Sequence, residues 1–523
     1  MLININCAKC IGIDAVPVTV EVDITQGIGI HLVGMADIAV KESLLRTITA
    51  LQSLGFHVPG KKIVINLAPA DMHKSGGGYD VPIAIGIVAA SGQVELPGLG
   101  KYLIMGELGL DGSVREVPGA LPFADLASKK GLAGCILPLG SALEATECQE
   151  LSIFGVESFN DVLKILEEKE DCSDLLVWNT RLYNKLTRLG RRASAHAPHD
   201  GMDFSEIIGQ DGAKRGAEIA CAGGHNMIMV GPPGSGKSSL AKAMAGILPP
   251  MTTGEAIVTS KIYSVAGLKG SGMGLIRKRP FRAPHYSASL PAIIGGGAGG
   301  DIRPGEVTLA ENGILFIDEY GQMSKSVLEA LRGPMEDRVV TISRLRSKLE
   351  FPASFMLVAA SNPCPCGYYG EGNRCICTPG QRMNYLSRLS GPVMDRIDIQ
   401  VWLHPVATGK LVRKVKGESS AVVAERVLKA RLRQKQRFAG DGIFTNAEMG
   451  NRLIEKYCVL DEPCRAVMEQ LIGKMGLSAR AYSRILKVAR TIADLEGEDD
   501  IGPKHLREAA GYRFLDRMPD GMK

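Results

Sequence analysis

At 523 residues the chain is long for one core, so two or three domains are expected, and 45% hydrophobic content is ample to fold them. A net charge of +5 is weak grounds for a nucleic-acid partner, and twelve cysteines in a chain this size exclude a disulfide scaffold. Asn4, Asn6, Lys9 and Asp14 break up any signal-peptide layout, and no apolar run reaches the length of a membrane span, so a cytoplasmic protein without membrane contact is expected.

Residues 1–166 hold short apolar runs, Val18 to Val22, Ile63 to Ile65 and Ile83 to Ala89, separated by Gly and Pro, and read as a mixed α/β domain. Residues 167–202 read as a charged linker. It opens on Glu167 to Asp171, carries Lys185, Arg188, Arg191 and Arg192, and turns flexible from Ala193 to His199. A nucleotide-hydrolysing core is expected over 203–408. Asn226 to Val230 reads as a buried strand, Gly231 to Ser238 spells GPPGSGKS, and Leu240 to Ile247 continues as a helix. In that order Gly231, Pro232, Pro233, Gly234, Ser235, Gly236, Lys237, Ser238 and Ser239 wrap a polyphosphate. Backbone amides cradle it, Lys237 reaches the terminal phosphates, and the Ser238 hydroxyl sits on Mg²⁺ at a helix N-terminus. The apolar run Ile314 to Ile317 then delivers Asp318 to the metal shell and Glu319 to a place where it polarises water.

Between these motifs Lys269, Arg277, Lys278, Arg279, Arg282 and Arg303 cluster in a Gly-rich segment interleaved with Phe281, His285 and Tyr286. Cations that track phosphates beside rings that stack on bases suit a single DNA strand; the alternative is an ordinary loop insertion. Beyond the strand Phe355 to Ala360, Asn362 stands where it would orient water beside the γ-phosphate. Cys364, Cys366, Cys375 and Cys377 follow within PCPCGYYGEGNRCICTP. Two close thiolate pairs on a loop with few apolar residues suit a structural, tetrahedral Zn²⁺ with no open position, and the other readings are disulfides or free thiols. Arg396 in GPVMDRID lies where one subunit could present a cation to another's transition state, and Arg480 in LSARAYSRIL could close over the nucleotide. The alternatives are an Asn362 that caps a turn, an Arg396 paired with Asp395 or Asp398, and an Arg480 that snorkels from a helix face. From 409 to 523 the pattern is helical and charged, with Ala421 to Arg437 and Arg480 to Leu495 the longest amphipathic stretches.

These motifs, with RPFRAPHYSAS, NLAPAD and GYDVPIAIGI, carry a resemblance over nearly the whole chain to the magnesium-chelatase-like ComM (YifB) family of bacterial AAA+ ATPases. The resemblance implies a P-loop core with a zinc-loop insertion at 364–377 and a C-terminal helical lid. It assigns Lys237 and Ser238 to the phosphate loop, Asp318 and Glu319 to the second motif, and Asn362 to the first sensor. Arg396 becomes the trans-acting finger and Arg480 the second sensor, with Arg484 its competitor. Family members are linked to natural transformation as hexameric helicases that drive branch migration, so ATP, Mg²⁺, DNA and a homo-hexamer are the expected partners. Two departures are visible: Tyr286 stands where relatives carry His, and Gly321-Gln322 where they carry acidic or hydrophobic residues.

The N-terminal domain resembles the proteolytic domain of Lon, as in GELGLDGSVREVPGAL, which raises a Ser–Lys protease as a rival of another class. Yet Tyr79-Asp80 falls near the expected Ser and Pro122 where the Lys would be, and adjacent Lys74 and Ser75 on an extended segment point apart. A non-catalytic domain is expected. A chelatase-like motor that remodels a protein partner is the remaining alternative.

Overall fold

The computed structural model describes residues 2–517 except 36, 149, 187–201, 269–273, 298–301, 345–346, 372–373, 387–392 and 407–416. Near the N-terminus, alternating apolar residues along Ile3–Ile11, Asp14–Thr25 and Lys62–Ala68 send Ile5, Val20, Val22, Ile63 and Ile65 to one buried face. These strands join a seven-stranded mixed sheet in the order Gly29–Val33, Lys62–Ala68, Asp14–Thr25, Ile3–Ile11, Tyr102–Ile104, Gly134–Pro138, Ser152–Val156. The run Ile83 to Ala89 lies within the helix Asp80–Ala90. That helix is buried along nearly its whole length because it is apolar on every side.

The expected linker at 167–202 is corrected in its first half. Leu175, Leu176, Trp178, Leu182, Tyr183 and Leu186 pack on the N-terminal core, Val177 is fully buried within it, and Trp178 Nε1 donates to the Thr146 carbonyl. Apolar side chains, not the flanking charges, decide the path there. The basic residues Arg188, Arg191 and Arg192 and the stretch Ala193 to His199 lie outside the described residues.

The second sheet has five parallel strands in the order Phe281–Arg282, Ile314–Ile317, Met356–Ser361, Met227–Val230, Ile399–Trp402. Strands buried on both faces read as unbroken apolar runs, and alternate residues feed two cores. Met227, Met229, Phe316 and Val358 pack against the helices Asp211–Gly223, Lys237–Ile247, Ser420–Arg437 and Ala479–Glu496. Ile228, Val230, Leu315 and Leu357 face the other way, toward the helix Lys325–Asp337. Ser478 caps Ala479–Glu496 by accepting from the Ala481 amide, and Gly497 ends that helix at positive φ.

Helix Thr253–Val265 joins the two parts. Lys261, 10% exposed, reaches across to Asp14 at 2.7 Å and Asp125 at 2.8 Å, Ser264 donates to Glu144, and Ile13 packs against a core of the second sheet.

Candidate nucleotide site

The glycine-rich segment forms the turn between the strand Met227–Val230 and the helix Lys237–Ile247, at the carboxyl edge of the parallel sheet. Gly234 and Gly236 take φ of +77° and +92°, which any side chain would resist. Lys237 spans the turn: its Nζ donates to the Gly231 carbonyl at 2.6 Å, the Pro232 carbonyl at 2.9 Å and Asn362 Oδ1 at 3.3 Å. Burial lowers its pKa, so a phosphate that replaced those neutral acceptors would gain a poorly solvated cation. Ser238 Oγ donates to Asp318 Oδ2 at 2.9 Å, and the Glu319 amide donates to Asp318 Oδ1 at 2.9 Å. Hydroxyl and carboxylate oxygens side by side fit a hard divalent cation such as Mg²⁺. Glu319 itself is held at φ +50°, an uncommon conformation for a residue with a side chain. Strands Met356–Ser361 and Met227–Val230 are neighbours in register, Val230 opposite Ser361, and this pairing brings Asn362 to Lys237.

Arg396 and Arg480 come together, and they do so away from this loop. Arg396 is buried in an ion pair with Glu336, whose carboxyl it holds below the usual range. Arg480 pairs with Asp395 at 3.0 Å and is 68% exposed. Both line a cavity of about 270 Å³ with Glu336, Arg484 and Lys487, and no phosphate-loop residue borders it. Arg480, expected to close over the nucleotide, thus borders a cavity that no phosphate-loop residue of its own chain lines. Arg484 pairs with buried Asp398, which also accepts from His225 Nδ1 at 2.9 Å. Burial would raise the Asp398 carboxyl, yet Arg484 and His225 outweigh it and hold the group well below the ordinary range. Thr491 on the same helix closes the chain on His225 Nε2 at 2.8 Å. Arg484, the competitor for the second-sensor role, is thus a strut of the lid.

The four loop cysteines converge. Sγ of Cys364 is 3.4 Å from Cys366 and 3.8 Å from Cys375, Cys366 is 3.7 Å from Cys375, and the Cys366 amide points at Cys377 Sγ. Four thiolates about 2.3 Å from one ion would stand about 3.8 Å apart, so the group fits tetrahedral Zn²⁺. The Tyr368 amide, with other donors, brings the Cys366 thiol down to about 6, whereas burial pushes Cys364 up to about 12. This loop rests on the phosphate loop: a methyl at Gly367 would lie 2.8 Å from Pro233 Cδ.

Comparison with known proteins agrees along the whole chain. Magnesium chelatase, subunit ChlI, matches residues 203–411, its C-terminal region matches 417–513, and subunit ChlI of Mg-chelatase matches 20–141. Competence protein ComM of Haemophilus influenzae is 42% identical over 97% of this chain and 96% of its own length. YifB of Salmonella typhimurium is 41% identical over 98% of this chain and 97% of its own. The chain belongs to the magnesium-chelatase-like ComM (YifB) family. It is an AAA+ ATPase chain, and its α/β core with a parallel sheet and helical C-terminal region fits that family. A more distant similarity, 25% identity over 60% of this chain and 37% of the relative, is to the DNA replication licensing factor Mcm6 of Drosophila melanogaster.

Within this ComM/YifB-family chain the basic cluster is divided. Arg279 pairs with Glu255 at 2.9 Å and donates to the Pro249 and Asn312 carbonyls, and Arg282 holds Glu306 through two hydrogen bonds of 2.6 and 2.7 Å. Phe281 stacks on Phe316 in the core. Arg277 reaches Glu147 at 3.4 Å across an exposed surface, and Lys278 and Arg303 are exposed. His285 and Tyr286 lie against each other, tilted by 34° with centroids 4.3 Å apart. Lys269 lies outside the described residues. Sequence reading passed over the antiparallel strands Val339–Arg344 and Ser347–Pro352 and the basic stretch Arg344, Arg346 and Lys348 in the sequence there. The signal available was a strict alternation on both sides of a short basic stretch. It also passed over Gln210, whose amide ties the Ser235 carbonyl to the His404 carbonyl, and Asn226, which binds the Arg396 carbonyl at 3.0 Å.

In the N-terminal part the Ser–Lys residues are engaged otherwise. Tyr79 Oη reaches the Ala8 carbonyl at 3.3 Å, buried Asp80 pairs with Arg46 at 3.1 Å, and buried Lys74 donates to the Pro69 carbonyl. Pro122 lies in the buried part of the helix Ala120–Lys129. Among the described residues no helix is long and apolar enough to cross a membrane.

Proposed function

We propose that this chain is a cytoplasmic, ATP-driven DNA motor, a hexameric branch-migration helicase that supports recombination of incoming strands. The observation that carries the reading is the separation of two half-sites. Lys237, Ser238, Asp318, Glu319 and Asn362 gather at the phosphate loop, while Arg396 and Arg480 share a cavity that no phosphate-loop residue borders. Each half lacks what the other holds, so a complete site needs two chains and a closed ring of them. In that site Ser238 and Asp318 would hold Mg²⁺, which neutralises charge on the β- and γ-phosphates. Glu319 takes the proton of the attacking water, Asn362 orients it, Lys237 binds the γ-phosphate, and the neighbour's Arg396 exchanges Glu336 for the developing phosphoryl charge.

The name of the Haemophilus relative ties it to competence, and the sequence stretch with Arg344, Arg346 and Lys348 supplies cations suited to a phosphate backbone. The Cys364, Cys366, Cys375 and Cys377 cluster is assigned to structural Zn²⁺, and the Lon-like N-terminal part to a non-catalytic docking role. The test is ATP turnover with and without single-stranded and branched DNA across a range of salt, with Glu319→Gln as blank. Stimulation that weakens with salt is expected. Turnover indifferent to every DNA would move the reading to the chelatase-like alternative, a motor that remodels proteins.

A further inference from the structure

The helix Pro379–Leu386 returns the chain from the cysteine loop to the nucleotide site and delivers one side chain there, Tyr385. Its hydroxyl lies 3.2 Å from Ser361 Oγ. Ser361 Oγ in turn donates to the Asn362 carbonyl at 3.1 Å. The Asn362 carbonyl is thereby tied to the phenol through Ser361. On its other side the ring meets the turn that follows Glu319. A methyl at Gly321 would stand 2.9 Å from the Tyr385 hydroxyl oxygen and 3.0 Å from Cζ, so the absence of a side chain at 321 is what admits the ring. Burial chiefly raises the phenol, and the Glu319 carboxylate adds to that, which puts the two groups within electrostatic reach. At pH 7 the phenol is neutral, and it keeps a proton with which to hold Ser361.

We propose that Tyr385 is a positioning residue for ATP hydrolysis, which fixes Asn362 at the end of its strand and limits the turn that carries Glu319. The assignment rests on the ATPase reading of the site. Its physical basis is that the two groups expected to flank the attacking water sit on different segments, the end of Met356–Ser361 and the turn Tyr320–Gln322. The strands that lead to them, Ile314–Ile317 and Met356–Ser361, pair in parallel but their pairing ends before either group. A third group wedged between them fixes what the sheet leaves free, and small losses of alignment there cost turnover and leave nucleotide affinity unchanged.

The experiment measures steady-state ATP turnover of the full chain for Tyr385→Phe, Gly321→Ala and the double variant. Glu319→Gln serves as blank, and binding of a fluorescent ATP analogue is measured in parallel. Tyr385→Phe keeps the ring and removes the hydroxyl, so kcat should fall about tenfold while KM and analogue affinity stay within about twofold of the parent. Gly321→Ala, whose methyl displaces the same hydroxyl, should give a comparable loss, and the double variant should be no worse than the slower single one. Parental kcat in Tyr385→Phe overturns the assignment, as does a kcat loss matched by an equal loss of analogue affinity, or single losses that multiply in the double variant. A parent no faster than Glu319→Gln would remove the ATPase reading itself and this assignment with it.

Discussion

Arg396 is buried against Glu336, so in the proposed two-chain site a neighbour's γ-phosphate would have to replace that carboxylate. Arg396→Ala should therefore lower turnover about a thousandfold while nucleotide binding is kept. Mixing it with Lys237→Ala should restore part of the activity, because one chain then supplies an intact phosphate loop and the other an intact finger. A mixture as inactive as its components would mean that Arg396 serves its own chain. Glu311 offers a second test at this scale. Its carboxyl is buried, accepts from the Ser354 amide, and is pushed up from 4.5 to about 7 by burial. A carboxyl with a raised pKa binds its proton more tightly when folded, so its contribution to stability is full below about 4.5 and is lost as the pH rises through about 7. Glu311→Gln removes that loss and keeps an acceptor for Ser354. Thermal unfolding at pH 8 should rise by about 2 °C in the variant, with no gain near pH 4.5. Equal melting of the two proteins at pH 8 would show that Glu311 is not destabilised by burial.

Among the elements, the cysteine loop carries the four thiols and lies against the phosphate loop. It begins at Cys364, two residues beyond Asn362, and it lies on Pro233 through Gly367. Purified protein should carry about one zinc per chain. Cys366→Ser should lose the metal and also weaken ATP binding, since the loop no longer backs the phosphate turn. Metal content and analogue binding measured on the same preparations decide the matter, and full nucleotide affinity in a metal-free variant would sever the link. The hairpin Val339–Arg344 and Ser347–Pro352 makes a related point about legibility. Its strands alternate clearly, but Glu350 pairs with Lys348 within the strand and Gly12 of the N-terminal part lies close to the Glu350 carbonyl. Nothing in its local pattern announces that it stands between the second motif and the strand that leads to Asn362 as a projecting element.

For the molecule as a whole, the two sheets are joined by charge as much as by apolar contact. Lys261 holds Asp14 and Asp125 from one part to a helix of the other, and hydrogen bonding raises its own pKa despite burial. Removing Lys261 takes this cation from Asp14 and leaves Asp125 with Lys129 on its own side of the joint. Lys261→Ala should loosen the joint, and calorimetry should resolve two unfolding transitions where the parent gives one broader, coupled transition. A single unchanged transition would mean that Ile13 and the backbone contact from the Gly119 amide to the Ser264 carbonyl hold the parts together without the ion pairs.

Local chemistry was legible in the sequence because it is written in contiguous residues. GPPGSGKS between a strand and a helix, the apolar run into Asp318-Glu319, and the four cysteines each carry their geometry within a few positions, and the structure bears out each local arrangement. Amphipathic helices from 420 onward were readable for the same reason, since their period is local. What only the tertiary structure decided is which distant residues meet. Side chains of one residue type look alike in sequence whether they face a carboxylate of their own chain or solvent. Arg279 and Arg282 turned out to be internal struts, Arg480 came to rest beside Arg396, Trp178 tied down half of an expected linker, and Tyr385 reached Asn362. Sheet order and helix packing make those choices, and they depend on contacts between residues far apart in the chain, which no local pattern encodes.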